Sequence, residues 1–187
     1  MIKKLFIFAI FLFSFLISID LFALDGIEIL SGYLDADLDK KEDYEGIPLL
    51  VALNYDVRPM FEKIGIQTQG RIDFILEPFI NTITSPDSNI EVGANLLLKY
   101  ICPLTERLQL YVKGGAGALY MSQHTEEQGT QYNFLPQLGA GIHLFLSGGV
   151  ALSCEYRYRH LSNADIEKPN SGIDTTMILG GVSFFFD

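Results

Sequence analysis

The chain has 187 residues, 49% of them hydrophobic, with 13 basic against 23 acidic residues and a formal net charge of −10. That length allows one domain. The acidic balance excludes nucleic acid as a partner, because phosphate binding needs clustered Lys and Arg.

Residues 1–23 read as an export signal. Lys3 and Lys4 form a positive start, 5–17 is apolar except for Ser14, and Leu21-Phe22-Ala23 offers cleavage after Ala23. The apolar run is short for a spanning helix of roughly 20 residues, and no Cys stands directly behind it to take a lipid anchor. The mature chain, 24–187, keeps 11 basic and 22 acidic residues, a charge of −11.

After Ala23 no apolar run reaches spanning length, yet apolar residues alternate with polar ones. Eight strands are predicted: 27–36, 46–57, 69–82, 89–102, 107–121, 132–146, 149–162 and 173–186. In the third, Ile72, Phe74, Leu76, Pro78 and Ile80 oppose Arg71, Asp73, Glu77 and Asn81. In the fourth, Ile90, Val92, Ala94, Leu96, Leu98 and Tyr100 oppose Glu91, Gly93, Asn95 and Lys99. The sixth sets Phe134, Leu138, Ala140, Ile142 and Leu144 against Asn133, Gln137, Gly139, Gly141 and His143. A period of two this regular indicates strands.

The apolar face is too continuous for a soluble sandwich. The expected fold is therefore all-β: an eight-stranded antiparallel transmembrane β-barrel of the outer-membrane type, apolar outside and charged inside. Closure also satisfies every strand edge, as hydrocarbon requires. The expected interior carries Arg71, Lys99, Lys113, Arg157 and Arg159 against Asp73, Glu77, Glu91 and Glu155. A bore of eight strands is just filled by side chains, which argues against a channel.

Tight turns at 104–106 and 147–148 belong to the periplasmic side; the longer polar stretches 37–45, 122–131 and 163–172 belong outside. The stretch 58–68 is longer than a periplasmic turn needs. Asp35, Asp37, Asp39, Glu42 and Asp43 read as a solvated outer loop, and Gly114–Ala118 as close packing within a strand. Cys102 and Cys154 fall on non-adjacent strands, so no disulfide is expected. His124 reads as an outer-loop residue and His143 as an interior one. No metal-ligand spacing is present, and no cofactor is expected. The chain nearly ends in Phe184-Phe185-Phe186, an aromatic terminal strand of the kind outer-membrane assembly reads.

Chemistry concentrates at the last hairpin. The even face of the seventh strand, which is the lipid face, ends in Tyr156, Tyr158, His160 and Ser162. The even face of the eighth begins at Asp174. Pairing around the 163–172 loop sets His160 opposite or nearly opposite Asp174, where Cβ atoms lie about 4.5–5.5 Å apart, with Ser162 beside His160. A hydroxyl, a base and an orienting acid are what nucleophilic catalysis needs. The same side chains also fit an inert rim in the headgroup zone.

The segment His160-Leu161-Ser162-Asn163-Ala164 followed by Pro169-Asn170-Ser171-Gly172-Ile173-Asp174 resembles the signature of the outer-membrane lipid A 3-O-deacylases (the PagL type). The resemblance implies a serine esterase that removes the 3-hydroxyacyl ester of lipid A at the outer leaflet of the bacterial outer membrane. It implies Ser162 as nucleophile, His160 as base, Asp174 where the family usually has Glu, and Asn163 and Asn170 as oxyanion or substrate-positioning residues. Glu167 in the loop is the lesser substitute for the acid. The acyl chain is expected along the outer wall over Tyr156, Tyr158, Gly180 and Gly114. Expected partners are lipopolysaccharide as substrate and the outer-membrane lipids, with a homodimer left open. Two rivals stand beside this reading: a non-enzymatic small barrel for adhesion or envelope stability, and a phospholipid esterase.

Overall fold

Eight antiparallel strands close on themselves in the computed structural model: β1 (Gly26–Ala36), β2 (Tyr44–Asp56), β3 (Arg71–Ser85), β4 (Asn89–Pro103), β5 (Leu108–Met121), β6 (Tyr132–Ser147), β7 (Val150–Leu161) and β8 (Ile173–Phe185). It describes residues 23–36, 38 and 43–186. The export signal expected over 1–23 lies, except for Ala23, outside the described residues, as do Asp37, Asp39, Glu42 and Asp187. Each strand pairs with its neighbour in sequence, and β1 pairs with β8 from Gly26↔Phe185 to Asp35↔Thr176. This closure leaves no unpaired edge for hydrocarbon to meet.

The structure bears out the eight strands and their faces, with ends shifted by at most three residues. β2 starts at Tyr44 and β3 runs on to Ser85, because Glu45 and Gly46 pair with Ser85 and Ile83 across a register shift. The unassigned stretch after β2 contains a short helix, α1 (Arg58–Lys63). Pro59 presets its first turn, the Arg58 N–H donates to Asp56 Oδ1 at 2.8 Å, and Gly65, at φ +84°, follows its end. On the outer side, the β3–β4 connection is a tight turn at 86–88, unlike the three long outer loops.

Alternation is plain in β7, where Ala151, Ser153, Glu155, Arg157 and Arg159 are buried while Leu152, Cys154, Tyr156 and Tyr158 are exposed. Cys102 and Cys154 are free, on the outer faces of β4 and β7. The lumen is filled in layers. Toward the periplasmic end His143 Nδ1 meets Ser153 Oγ at 2.8 Å, its ring stacked on Tyr111. Lys99 pairs with Glu28. In the middle, Arg157 bonds Glu77 at 2.5 Å and Glu155 at 2.6 Å, and Lys113 bridges the same two carboxylates at 3.3 and 2.7 Å. Above them Arg159 bonds Glu91 at 2.7 Å, which also accepts from Tyr44 and Asn81.

The outer third of the lumen departs from the expected charged interior. Leu34, Ala36, Tyr44, Ile83, Met121, Leu161 and Ile173 are buried together there as an apolar plug. Its position directly beneath the long loops seals the charged layers from the outer face.

Removing one partner of a buried ion pair leaves an uncompensated charge and costs about 3–5 kcal/mol. Arg157→Ala, which leaves Lys113 alone against both Glu77 and Glu155, is expected to lower the unfolding free energy of the barrel in lipid vesicles by an amount in that range, read as a lower urea midpoint. An unchanged midpoint would mean that the lumen network does not hold the strands.

Candidate active site

The outward face of the last hairpin is set by its inward one. In β7, Arg159 and Leu161 are 1% and 0% exposed; one is tied to Glu91 and the other sits in the apolar plug. Their burial turns His160 and Ser162 outward, because side chains alternate along a strand. In β8, Ile173 and Thr175 are buried in the same way and turn Asp174 outward.

The register then aligns the two strands. His160 pairs with Asp174, and His160 Nδ1 lies 2.6 Å from Asp174 Oδ1. A carboxylate only accepts, so Nδ1 carries a proton, and Nε2 is the nitrogen that is basic in the neutral imidazole. Asp174 therefore reaches the imidazole despite being one methylene shorter than Glu. The Tyr158 hydroxyl lies near the same carboxylate. Glu167 sits in the exposed loop with its backbone carbonyl turned to Asn163.

On the other side of β7 the ladder to β6 is interrupted at His160. The unshifted register between Gln137↔Arg159 and Phe134↔Ser162 sets Pro136 opposite His160. Pro136 has no N–H to donate there. Pairing resumes at Ser162, whose backbone exchanges hydrogen bonds of 2.8 and 3.1 Å with Phe134. The nucleophile candidate is therefore held by its main chain just beyond a gap in the sheet.

Gly172 accounts for the close approach of the loop to His160. It adopts φ +84°, and a Cβ built on it would lie 2.5 Å from His160 Cε1 and 3.1 Å from Nε2. Only glycine fits both that backbone conformation and that contact. It belongs to the signature segment, but its spacing does not announce this role.

The two asparagines come together and divide the work. The Asn163 N–H donates to Asn170 Oδ1 at 2.8 Å. The side chain of Asn163 is buried, and its Nδ2 donates to the carbonyls of Glu167 (2.8 Å) and Pro169 (3.3 Å), which occupies both amide hydrogens. Asn170 Nδ2 makes one hydrogen bond, to Asp165 Oδ1 at 3.2 Å, and keeps a second N–H. Between them, Ala164 (φ +55°) and Asp165 (φ +61°) form the centre of a turn closed by Ile166 N–H to Asn163 O at 3.1 Å, the type I′ pattern. Donors from Lys168 and then Asn170 hold the Asp165 carboxyl below the usual range.

Sequence reading missed what braces this loop. The outer loop 122–131 lies against it: Gly129 N–H donates to Pro169 O at 2.6 Å and Ser171 N–H to Glu127 O at 2.9 Å. Tyr156, Tyr158 and Gly180 do share one stretch of outer wall, with Gly180 paired to Cys154. Gly114 does not: it is on β5, in an apolar groove with Phe61, Ile72, Leu98 and Leu138. Among the described residues no group of three or more His, Cys, Asp or Glu is placed to hold a metal.

A family model described as Lipid A 3-O-deacylase (PagL) matches residues 50–183. No curated protein matches the chain in sequence. Among solved structures the outer membrane enzyme PagL aligns at 16% identity and TM-score 0.58, covering 86% of this chain and 99% of that one. Neisserial surface protein A (NspA) aligns at 13% identity and TM-score 0.60, covering 86% and 96%. The N-terminal β-barrel domain of Pseudomonas aeruginosa OprF aligns at 14% and 0.51, covering 87% and 98%. At such identities these likenesses concern the fold; similar scores for PagL and NspA do not separate functions.

The His160–Asp174 bond has a direct signature. In a barrel with ¹⁵N-labelled histidine, the Nδ1 proton is expected as a strongly downfield resonance. Asp174→Ala and Gly172→Ala should abolish it, the latter by pushing the ring aside, while Glu167→Ala leaves it in place. Persistence in Asp174→Ala would assign the imidazole a different partner.

Proposed function

The chain belongs to the lipid A 3-O-deacylase (PagL) family, and on that premise we propose that Ser162, His160 and Asp174 carry out its ester hydrolysis. It is an outer-membrane enzyme whose substrate is lipid A. The observation that carries the site assignment is the 2.6 Å bond between His160 and Asp174, on the same outer face as Ser162.

The chemistry follows from which imidazole nitrogen is free. Ser162 Oγ attacks the carbonyl carbon of the 3-acyl ester, and its proton passes to Nε2 of His160. Asp174 stabilises the imidazolium through Nδ1 and fixes the ring's orientation. The tetrahedral oxyanion needs donors that are not already committed. Asn170, with its spare N–H, suits that role, whereas Asn163 acts by holding the loop. Collapse breaks the bond to the sugar oxygen, which leaves with the proton from His160. Water, deprotonated by the same base, then releases the 3-hydroxy fatty acid and restores Ser162. The scissile ester approaches from the membrane, and its chain runs down the wall over Tyr158 and Tyr156, which are 43% and 56% exposed.

The rival of an inert barrel predicts that Ser162 and His160 are dispensable. Lipid A from cells expressing the wild type is expected to lose one 3-hydroxyacyl chain by mass spectrometry. Ser162→Ala should leave lipid A intact and lower activity by at least about 10³-fold, as removal of a triad nucleophile does. Deacylation by a correctly inserted Ser162→Ala protein would remove the serine mechanism. Phospholipid turnover with unchanged lipid A in the wild type would favour the phospholipid esterase reading.

A further inference from the structure

A polar cavity of about 220 Å³ lies at the outer rim, between the loop 122–131 and the catalytic loop. Gln123, His124, Gln128, Thr130, Tyr132 and Glu167 line it. Gln123 and Gln128 are 6% and 5% exposed, and the nitrogen and oxygen of both side-chain amides lack a partner among the described residues. Buried amides are almost always hydrogen-bonded, so two wholly unpartnered ones beside a cavity point to a ligand.

The lining specifies that ligand's chemistry. There is no Lys or Arg, and Glu167 stands against the one basic group of the lining, His124, which disfavours phosphate and carboxylate. Each amide offers both a donor and an acceptor, matching a hydroxyl that does both. Tyr132 presents an exposed ring, 5.2 Å from that of Tyr120, for the apolar face of a ring-shaped ligand. The volume is below the roughly 300–1,000 Å³ of drug-sized sites, which suits a single sugar ring. The location is close to the chemistry: the Glu167 carbonyl at its edge accepts from Asn163, the residue after Ser162.

We propose that this cavity is a sugar subsite, in which Gln123 and Gln128 bind the hydroxyls of one ring of the substrate's headgroup and orient the ester toward Ser162. The assignment rests on the lipid A reading above. The ring belongs either to lipid A itself or to the saccharide attached to it.

The test compares kcat/KM of the purified barrel in detergent on lipopolysaccharide, on lipid A stripped of its saccharide, and on a nitrophenyl acyl ester with no sugar. Gln123→Met and Gln128→Met keep side-chain size while removing the hydrogen-bonding groups. Each is expected to lower the ratio of sugar-bearing to nitrophenyl substrate about tenfold, mainly through KM, with no fall in Tm because no protein hydrogen bond is lost. A drop on both sugar substrates assigns the ring to lipid A; a drop on lipopolysaccharide alone assigns it to the attached saccharide. Ratios within twofold of wild type on both overturn the subsite. If either Met variant fails to fold, Thr130→Ala at the rim is read by the same ratios and the same criterion. Wild-type protein that cleaves the nitrophenyl ester but neither sugar substrate overturns the lipid A reading itself, a result distinct from failure of the subsite alone.

Discussion

A strand that crosses hydrocarbon must close its ladder and must send alternate side chains to opposite sides. Everything distinctive about this protein follows from that parity. Once Arg159 and Leu161 are committed to the lumen, His160 and Ser162 have nowhere to point but outward. Ile173 and Thr175 do the same for Asp174. The candidate triad is therefore built by the residues between its members.

The lumen supplies the rigidity that such an arrangement needs. Arg157 and Lys113 share Glu77 and Glu155, and Arg159 is held by Glu91, so β7 is tied to β3 and β4 across the barrel. A register slip of one residue would turn these cations to lipid and the triad inward, at the cost of every bond in the network. The buried charges thus specify one register, and through it the His160–Asp174 bond. Above them the apolar plug separates this network from the outer loops, where Asn163, Asn170 and Gly172 shape the site.

Much of this was legible in the sequence because period-two alternation is a local signal that the barrel does not override. The eight strands follow from alternation along the chain, and the outward face of His160, Ser162 and Asp174 and the pairing of His160 with Asp174 follow from counting residues around one hairpin loop. What was not legible depends on contacts between segments distant in sequence. The bracing of 163–172 by 122–131 joins backbone groups that carry no side-chain signature. Gly172 was visible as a glycine, but its contact with His160 arises only when the loop folds back. The apolar plug was hidden because inward positions were recognised by their charges, and Leu161 and Ile173, inside by parity, carry none. Asn163 and Asn170 look alike as amide donors in sequence, and only their hydrogen bonds distinguish them.

On the proposed mechanism, strand parity delivers an activated serine to the lipid-facing wall at one position. The direct measurement is labelling of the folded barrel with a lipophilic fluorophosphonate, followed by peptide mass spectrometry. A single adduct on Ser162 is expected, lost in His160→Ala because the base proposed to activate the hydroxyl is gone. An adduct on another serine, or undiminished labelling of Ser162 without His160, would contradict it.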